Sequence, residues 1–108
     1  MAKYSVVNYA VTRKTSENGF DYIELELDLL NSSRNPKKVA YTLHEYTRHT
    51  LVAIEDTLND GLSIAKSEHI TIEISEYLER MYIFVKLPVT QNNELVKKEQ
   101  YQYTAHKI

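Results

Sequence analysis

The sequence predicts an α+β fold. An antiparallel sheet of about five strands, in the order β-β-α-β-β-β, carries one long helix packed across one of its faces. Three observations predict it. The stretch DYIELELDLL, residues 21–30, alternates Ile23, Leu25, Leu27 and Leu29 against Glu24, Glu26 and Asp28, the period-two pattern of a half-buried strand. Residues 35–60 carry apolar side chains at helical spacing. The stretches HITIEIS, RMYIFVKLP and EQYQYTAHK then return to strand patterns. A lone helix and a one-sided sheet bury their apolar surfaces only against each other. The chain has 108 residues and no Cys, so residues 1–108 are read as one domain with a core large enough to need no disulfide.

The first two strands form a hairpin across SENG. A two-residue Asn18-Gly19 turn would set Val11 against Glu26 and Tyr9 against Asp28. A three-residue loop, Glu17-Asn18-Gly19, with Gly19 left-handed in a G1 bulge, moves the register by one. Val11 then faces Leu25, Tyr9 faces Leu27 and Val7 faces Leu29, while Thr12 meets Glu24 and Asn8 meets Asp28. Because a one-residue slip turns every side chain to the other face, the apolar pattern selects the bulged hairpin.

The helix is expected to start at Asn35, with Pro36 in its first turn, and to stop at Gly61. Val39, Leu43, Tyr46, Ile54 and Leu58 share one face, flanked by Ala40, Leu51 and Ala53. Tyr41, Glu45, Arg48, Val52, Glu55 and Asp56 take the opposite face. In the strands that follow, Ile70, Ile72 and Ile74 alternate with Thr71 and Glu73, and RMYIFVKLP is apolar on both faces. Tyr101, Tyr103 and Ala105 alternate with Gln100, Gln102 and Thr104, with TQNNE as the connecting turn. SEYLERM reads either as a tight connection or as a short helix capped by Ser75.

Composition excludes more than it selects. The net charge is −2, where a dedicated nucleic-acid binder is usually basic. No apolar run reaches the roughly 18 residues of a membrane helix, and polar residues interrupt the start MAKYSVVNYAVTRK, so neither a signal peptide nor a membrane span is expected and the location is read as cytoplasmic. Lys, Asn, Ile and Tyr make up roughly 30% of the chain, well above ordinary usage, which fits a low-GC bacterium or its phage. The only glycines are Gly19 and Gly61, so there is no phosphate-binding glycine loop.

The segment HEYTRH, residues 44–49, is one residue longer than the His-Glu-x-x-His of zinc proteases. His44 and His49 on one helix would diverge by roughly 140°, so no metal and no cofactor is expected there. The acidic row Glu24, Glu26 and Asp28 reads as a solvated sheet face. Arg34, Lys37 and Lys38 crowd the expected helix start while Glu55, Asp56 and Asp60 crowd its end, against the helix dipole. A helix start with three cations suits an anion or an acidic partner.

These features lead to a small soluble non-enzymatic protein-interaction module, a phage or mobile-element accessory protein that binds a host protein or itself as a homodimer. Its expected interface is Tyr41, Glu45, Arg48, Val52 and Glu55. Two other readings stay open. One is a nucleic-acid-binding module using Arg34, Lys37 and Lys38, with Tyr101 and Tyr103 stacking bases. The other is a small-molecule binder or enzyme whose site is assembled from loops.

Overall fold

The computed structural model describes residues 2–44, 47–77, 80–91 and 94–107, and side chains for 3–44, 47–74 and 105–107. Among the described residues, six strands and one helix follow in the order β1 (Ala2–Thr15), β2 (Asp21–Asn31), β3 (Pro36–Leu43), α1 (Arg48–Ser67), β4 (Ile72–Tyr77), β5 (Arg80–Gln91) and β6 (Glu94–Lys107). All pairings are antiparallel, and the sheet curls until it closes in the order β1-β2-β3-β6-β5-β4. The α+β class, the antiparallel sheet and the single long helix are as the sequence predicts.

The first hairpin folds in the bulged register. Ser16 N–H donates to Phe20 O at 2.8 Å and Gly19 N–H to Ser16 O at 2.9 Å, with Gly19 at φ 82°. Val11 pairs with Leu25, Tyr9 with Leu27, Thr12 with Glu24 and Asn8 with Asp28. One pair differs: Val6, not Val7, lies opposite Leu29, because a β-bulge intervenes between Val6 and Asn8. The bulge lets Tyr4 and Val6 reach the core above it, with Tyr9 and Val11 packed against the core below it. It leaves Val7 48% exposed.

The main correction concerns residues 36–43. They form strand β3, and the helix begins at Arg48 rather than at Asn35. Val39, Tyr41 and Leu43 are buried while Lys38 and His44 are exposed and Ala40 and Thr42 half-buried. A second three-residue loop, Ser32-Ser33-Arg34, turns β2 into β3. Asn31 Oδ1 accepts from Ser33 N and Asn35 N, both at 2.9 Å, and Arg34 takes φ 62°. The helix is capped by Thr47, whose hydroxyl accepts from Thr50 N at 3.4 Å. Gly61 lies on the buried face of α1 and does not end it. The exit is made by His69 at φ 55°, with Glu68 N–H on Ile64 O and Ile70 N–H on Ala65 O, the left-handed helix stop more often given to glycine. Ile70 therefore belongs to this exit, and β4 begins at Ile72. Ser75 lies in β4 and pairs with Tyr82, so it caps no helix, and the connection at residues 78 and 79 lies outside the described residues.

One core results. Leu51, Ile54, Leu58, Leu62 and Ala65 of α1 recur at helical spacing and meet Ile23, Leu25, Leu27 and Leu29 of β2, Val39, Tyr41 and Leu43 of β3, Ile72 and Ile74 of β4 and Ala105 of β6. α1 lies against β1, β2 and β5. Each buried Leu or Ile stabilises the fold by about 1.5–3 kcal/mol of transfer free energy. The outward face pairs Lys3 with Glu73, Asn8 and Lys38 with Asp28, Ala10 and Ala40 with Glu26, and Thr12 and Thr42 with Glu24.

Candidate functional site: a two-stranded ribbon and the cleft at its root

The barrel closes through short contacts of β5 and β6. Arg80, Met81 and Tyr82 pair with Tyr77, Glu76 and Ser75 of β4, and His106 and Lys107 pair with Thr42 and Tyr41 of β3. Past those pairs the two strands continue as a ribbon. Ile83–Gln91 and Glu94–Tyr103 are bonded to each other, and among the described residues no third strand joins either edge. At about 3.3 Å per residue the ribbon runs on for roughly 30 Å. A two-stranded hairpin alone is marginal in water; it needs a third strand or a helix against it. α1 supplies some of that cover to β5, whereas β6 packs on β5 and β3.

A cleft of about 510 Å³ opens at the root of the ribbon, lined by Ser16, Phe20, Tyr22, Thr42 and His44. Phe20 follows the left-handed Gly19, and Phe20 N–H also donates to Ser16 Oγ at 3.1 Å. The tight turn fixes its backbone while the ring stays outside the barrel, 71% exposed. Phe20 and Tyr22 have the same strand parity as Glu24, so they belong to the outward face. Across the cleft, His44 stacks on His106 of β6, with ring centroids 4.4 Å apart and planes at 16°. This stack joins the end of β3 to the foot of the ribbon.

One carboxylate of β2 neighbours the cleft on the outward face. Glu24 lies in register with Thr42 and forms an ion pair with Lys14. The hydrogen bond and negative charge of Glu24 hold the Lys14 ammonium above its ordinary pKa. Asp21 accepts from Thr15 Oγ1 at 2.8 Å and faces Arg48 Nε at 3.2 Å, tying the start of β2 to the start of α1. Glu17 is exposed in the turn.

The residues expected to form sites are placed differently. Arg34 is in the β2–β3 turn, and Lys37 and Lys38 are on β3, so they mark no helix start. Lys37 Nζ donates to Tyr4 Oη at 3.2 Å and sits 5.3 Å from that ring's centroid. Lys38 lies opposite Asp28. With α1 running from Arg48 to Ser67, Glu55 and Asp56 fall near mid-helix and Lys66 in the last turn, and the charge pattern set against the helix dipole disappears. The expected interface does not form one patch. Tyr41 is in the core, Arg48 pairs with Asp21, Glu55 pairs with Arg13 at 3.3 Å, and Val52 is exposed. Glu45 lies outside the described residues, as do the side chains of Tyr101 and Tyr103, whose backbones pair with Val85 and Ile83. His44 follows β3 and His49 is in the first turn of α1, so the two histidines of HEYTRH do not share a helix. Phe20, Tyr22 and His106 are the residues that sequence reasoning missed, and His44 was weighed only as a metal ligand. For the two aromatics the signal was parity, which they share with Glu24 and Glu26.

Together these features define a class of architecture, a closed antiparallel barrel backed by one helix and extended by a two-stranded arm. No helix among the described residues is long and apolar enough to cross a membrane. Comparison with protein-family models, with curated proteins and with solved structures finds no match.

Proposed function

We propose that the chain is a protein-interaction module and that the β5–β6 ribbon is the arm that engages its partner. The observation that carries this reading is the ribbon beyond the barrel, paired to nothing but itself among the described residues. The β5 segment IFVKLPV carries apolar residues at consecutive positions, and consecutive strand residues alternate between faces. A ribbon of that composition is stabilised when a second protein covers it, and such extended elements are a recurrent means of docking.

The test compares the intact chain with a shortened one in which residues 84–102 are replaced by Asn-Gly, a turn suited to a two-residue hairpin. The barrel pairs of β5 and β6 are retained. Capture from the source cell, with light scattering for self-association, should give a partner or a second copy held by the intact chain and lost from the shortened chain. Equal retention by both chains, with melting curves showing both folded, rejects the ribbon as the binding arm.

A further inference from the structure

We infer that the cleft at the root of the ribbon receives an arginine side chain of the bound protein. The inference rests on the reading that the chain binds protein, and it assigns a second, separate contact. Three observations carry it. First, the walls are aromatic: Phe20 and Tyr22 on one side, and on the other His44, backed by the ring of His106. Phe20 is 71% exposed, although the turn holds its backbone by hydrogen bonds to Ser16. A rigidly mounted, uncovered ring is a ready face for stacking.

Second, the neighbouring charge favours a cation. Glu24 shares the outward face with Phe20 and Tyr22 and lies in register with Thr42 of the cleft, and Glu17 is exposed in the turn that carries Phe20. Lys14 engages Glu24, and a carboxylate with one cation keeps acceptor capacity for another hydrogen bond. A phosphate or acidic peptide would meet the charge of Glu24 and Glu17. A neutral apolar side chain would fill the cleft without using them.

Third, the shape suits a guanidinium better than an ammonium. The guanidinium is planar, stacks on aromatic faces and is weakly hydrated, while its N–H groups can reach hydroxyls and carboxylates in the same plane. Ser16 and Thr42 supply the hydroxyls and Glu24 the carboxylate. The cleft also lies at the foot of the ribbon, because His106 pairs with both Thr42 of β3 and Arg80 of β5. A protein held along the ribbon would pass over it.

The probe is N-acetyl-arginine amide, titrated into the intact chain and followed by NMR, with the citrulline amide as the uncharged isostere and the lysine amide as the point charge. The arginine compound should produce saturable shifts at Phe20, Tyr22, Thr42 and His44. Its affinity should exceed that of citrulline by roughly tenfold, the ratio corresponding to one desolvated cation–π contact. Phe20→Ala removes an exposed ring and should leave the fold intact while abolishing the shifts; Glu24→Gln should weaken them. The inference is overturned by an absence of saturable shifts, by citrulline or lysine binding as well as arginine, or by Phe20→Ala binding unchanged. The titration does not depend on the ribbon, so the two readings fail separately. A chain that loses its partner when shortened but ignores arginine keeps the arm and loses the cleft.

Discussion

Gly19 and Arg34 occupy the same position in two consecutive hairpins. Each is the third residue of a three-residue loop, each is left-handed, at φ 82° and φ 62°, and each donates its N–H at 2.9 Å to the carbonyl three residues before it. The backbone solves the same turn twice, once with the residue that suits it and once with a residue that does not. A side chain in this region costs roughly 1 kcal/mol or more, and at Arg34 the two hydrogen bonds accepted by Asn31 Oδ1 offset it.

Gly19→Ala is accordingly expected to destabilise the protein by about 1 kcal/mol or more. An added Cβ at Gly19 meets no atom within 4 Å, so the loss would come from backbone strain rather than from a clash. Urea unfolding with an unchanged m-value measures it. A neutral outcome contradicts the left-handed turn.

Arg34→Gly carries the opposite sign. Removing the side chain relieves strain at φ 62°, while glycine's greater freedom in the unfolded chain takes back part of the gain. A net stabilisation of about 0.5 kcal/mol is expected from those two terms. Thermal unfolding of the variant beside Gly19→Ala tests the equivalence of the two positions directly.

These turns also mark where the sequence was legible. The first hairpin could be read because one register sets apolar residues against acids and the other does not. Val6 and Val7 are both apolar, so alternation could not say which of them enters the core, and the bulge chose Val6. Residues 36–43 were ambiguous in a different way. Val39, Leu43 and Tyr46 fit a helix, while Val39, Tyr41 and Leu43 fit a strand. The strand forms because it covers the far edge of β2 and buries Tyr41. The cues were the turn cluster NSSRN and the Thr47 cap, both outweighed by Pro36 taken as a helix start. Pro36 is as well suited to the first residue of a strand. Misplacing the helix produced the apparent conflict with its dipole, and with it the anion site at Arg34, Lys37 and Lys38. The cleft escaped because its walls come from the β1–β2 turn, β2 and the end of β3, and they adjoin only once residues 36–43 are a strand paired with β2.

Tyr41→Ala separates the core position from the surface one. Tyr41 is fully buried, and truncating a large buried ring costs about 3–5 kcal/mol. Val52→Glu, on the exposed face of α1, should change stability by no more than about 0.5 kcal/mol. Denaturant titration of the two variants is sufficient. Equal effects would contradict the placement of Tyr41 in β3.

Pro36 and Lys38 give a prediction about self-association. β3 bonds to β6 at Tyr41 and Thr42, and Pro36 and Lys38 lie in its first three residues, in register with Leu30 and Asp28 of β2. Proline and lysine on a strand edge discourage pairing with another chain. Pro36→Val combined with Lys38→Val should therefore increase concentration-dependent association by light scattering without much change in melting temperature. If the double variant stays as dispersed as the parent, these two residues guard no edge.

Hydrogen exchange tests the ribbon itself. The amides of β2 are bonded between β1 and β3 on both sides and carry the fully buried Ile23 together with Leu25 and Leu29 at 1% exposure. They should open only when the whole domain unfolds. The amides of Glu94–Tyr103 lie in a strand whose other edge is free of strands among the described residues, and a two-stranded ribbon opens at a smaller free energy than a barrel wall. Under native conditions the ribbon should exchange by a separate opening, faster than β2 and less sensitive to denaturant. Tyr82, Thr104 and His106, at the root, should follow the barrel. A partner bound along the ribbon would then slow exchange in Glu94–Tyr103 and leave β2 unchanged. Uniform protection of the free chain from β2 to the ribbon tip would mean that the arm is already part of the cooperative core and is not held in reserve for a partner.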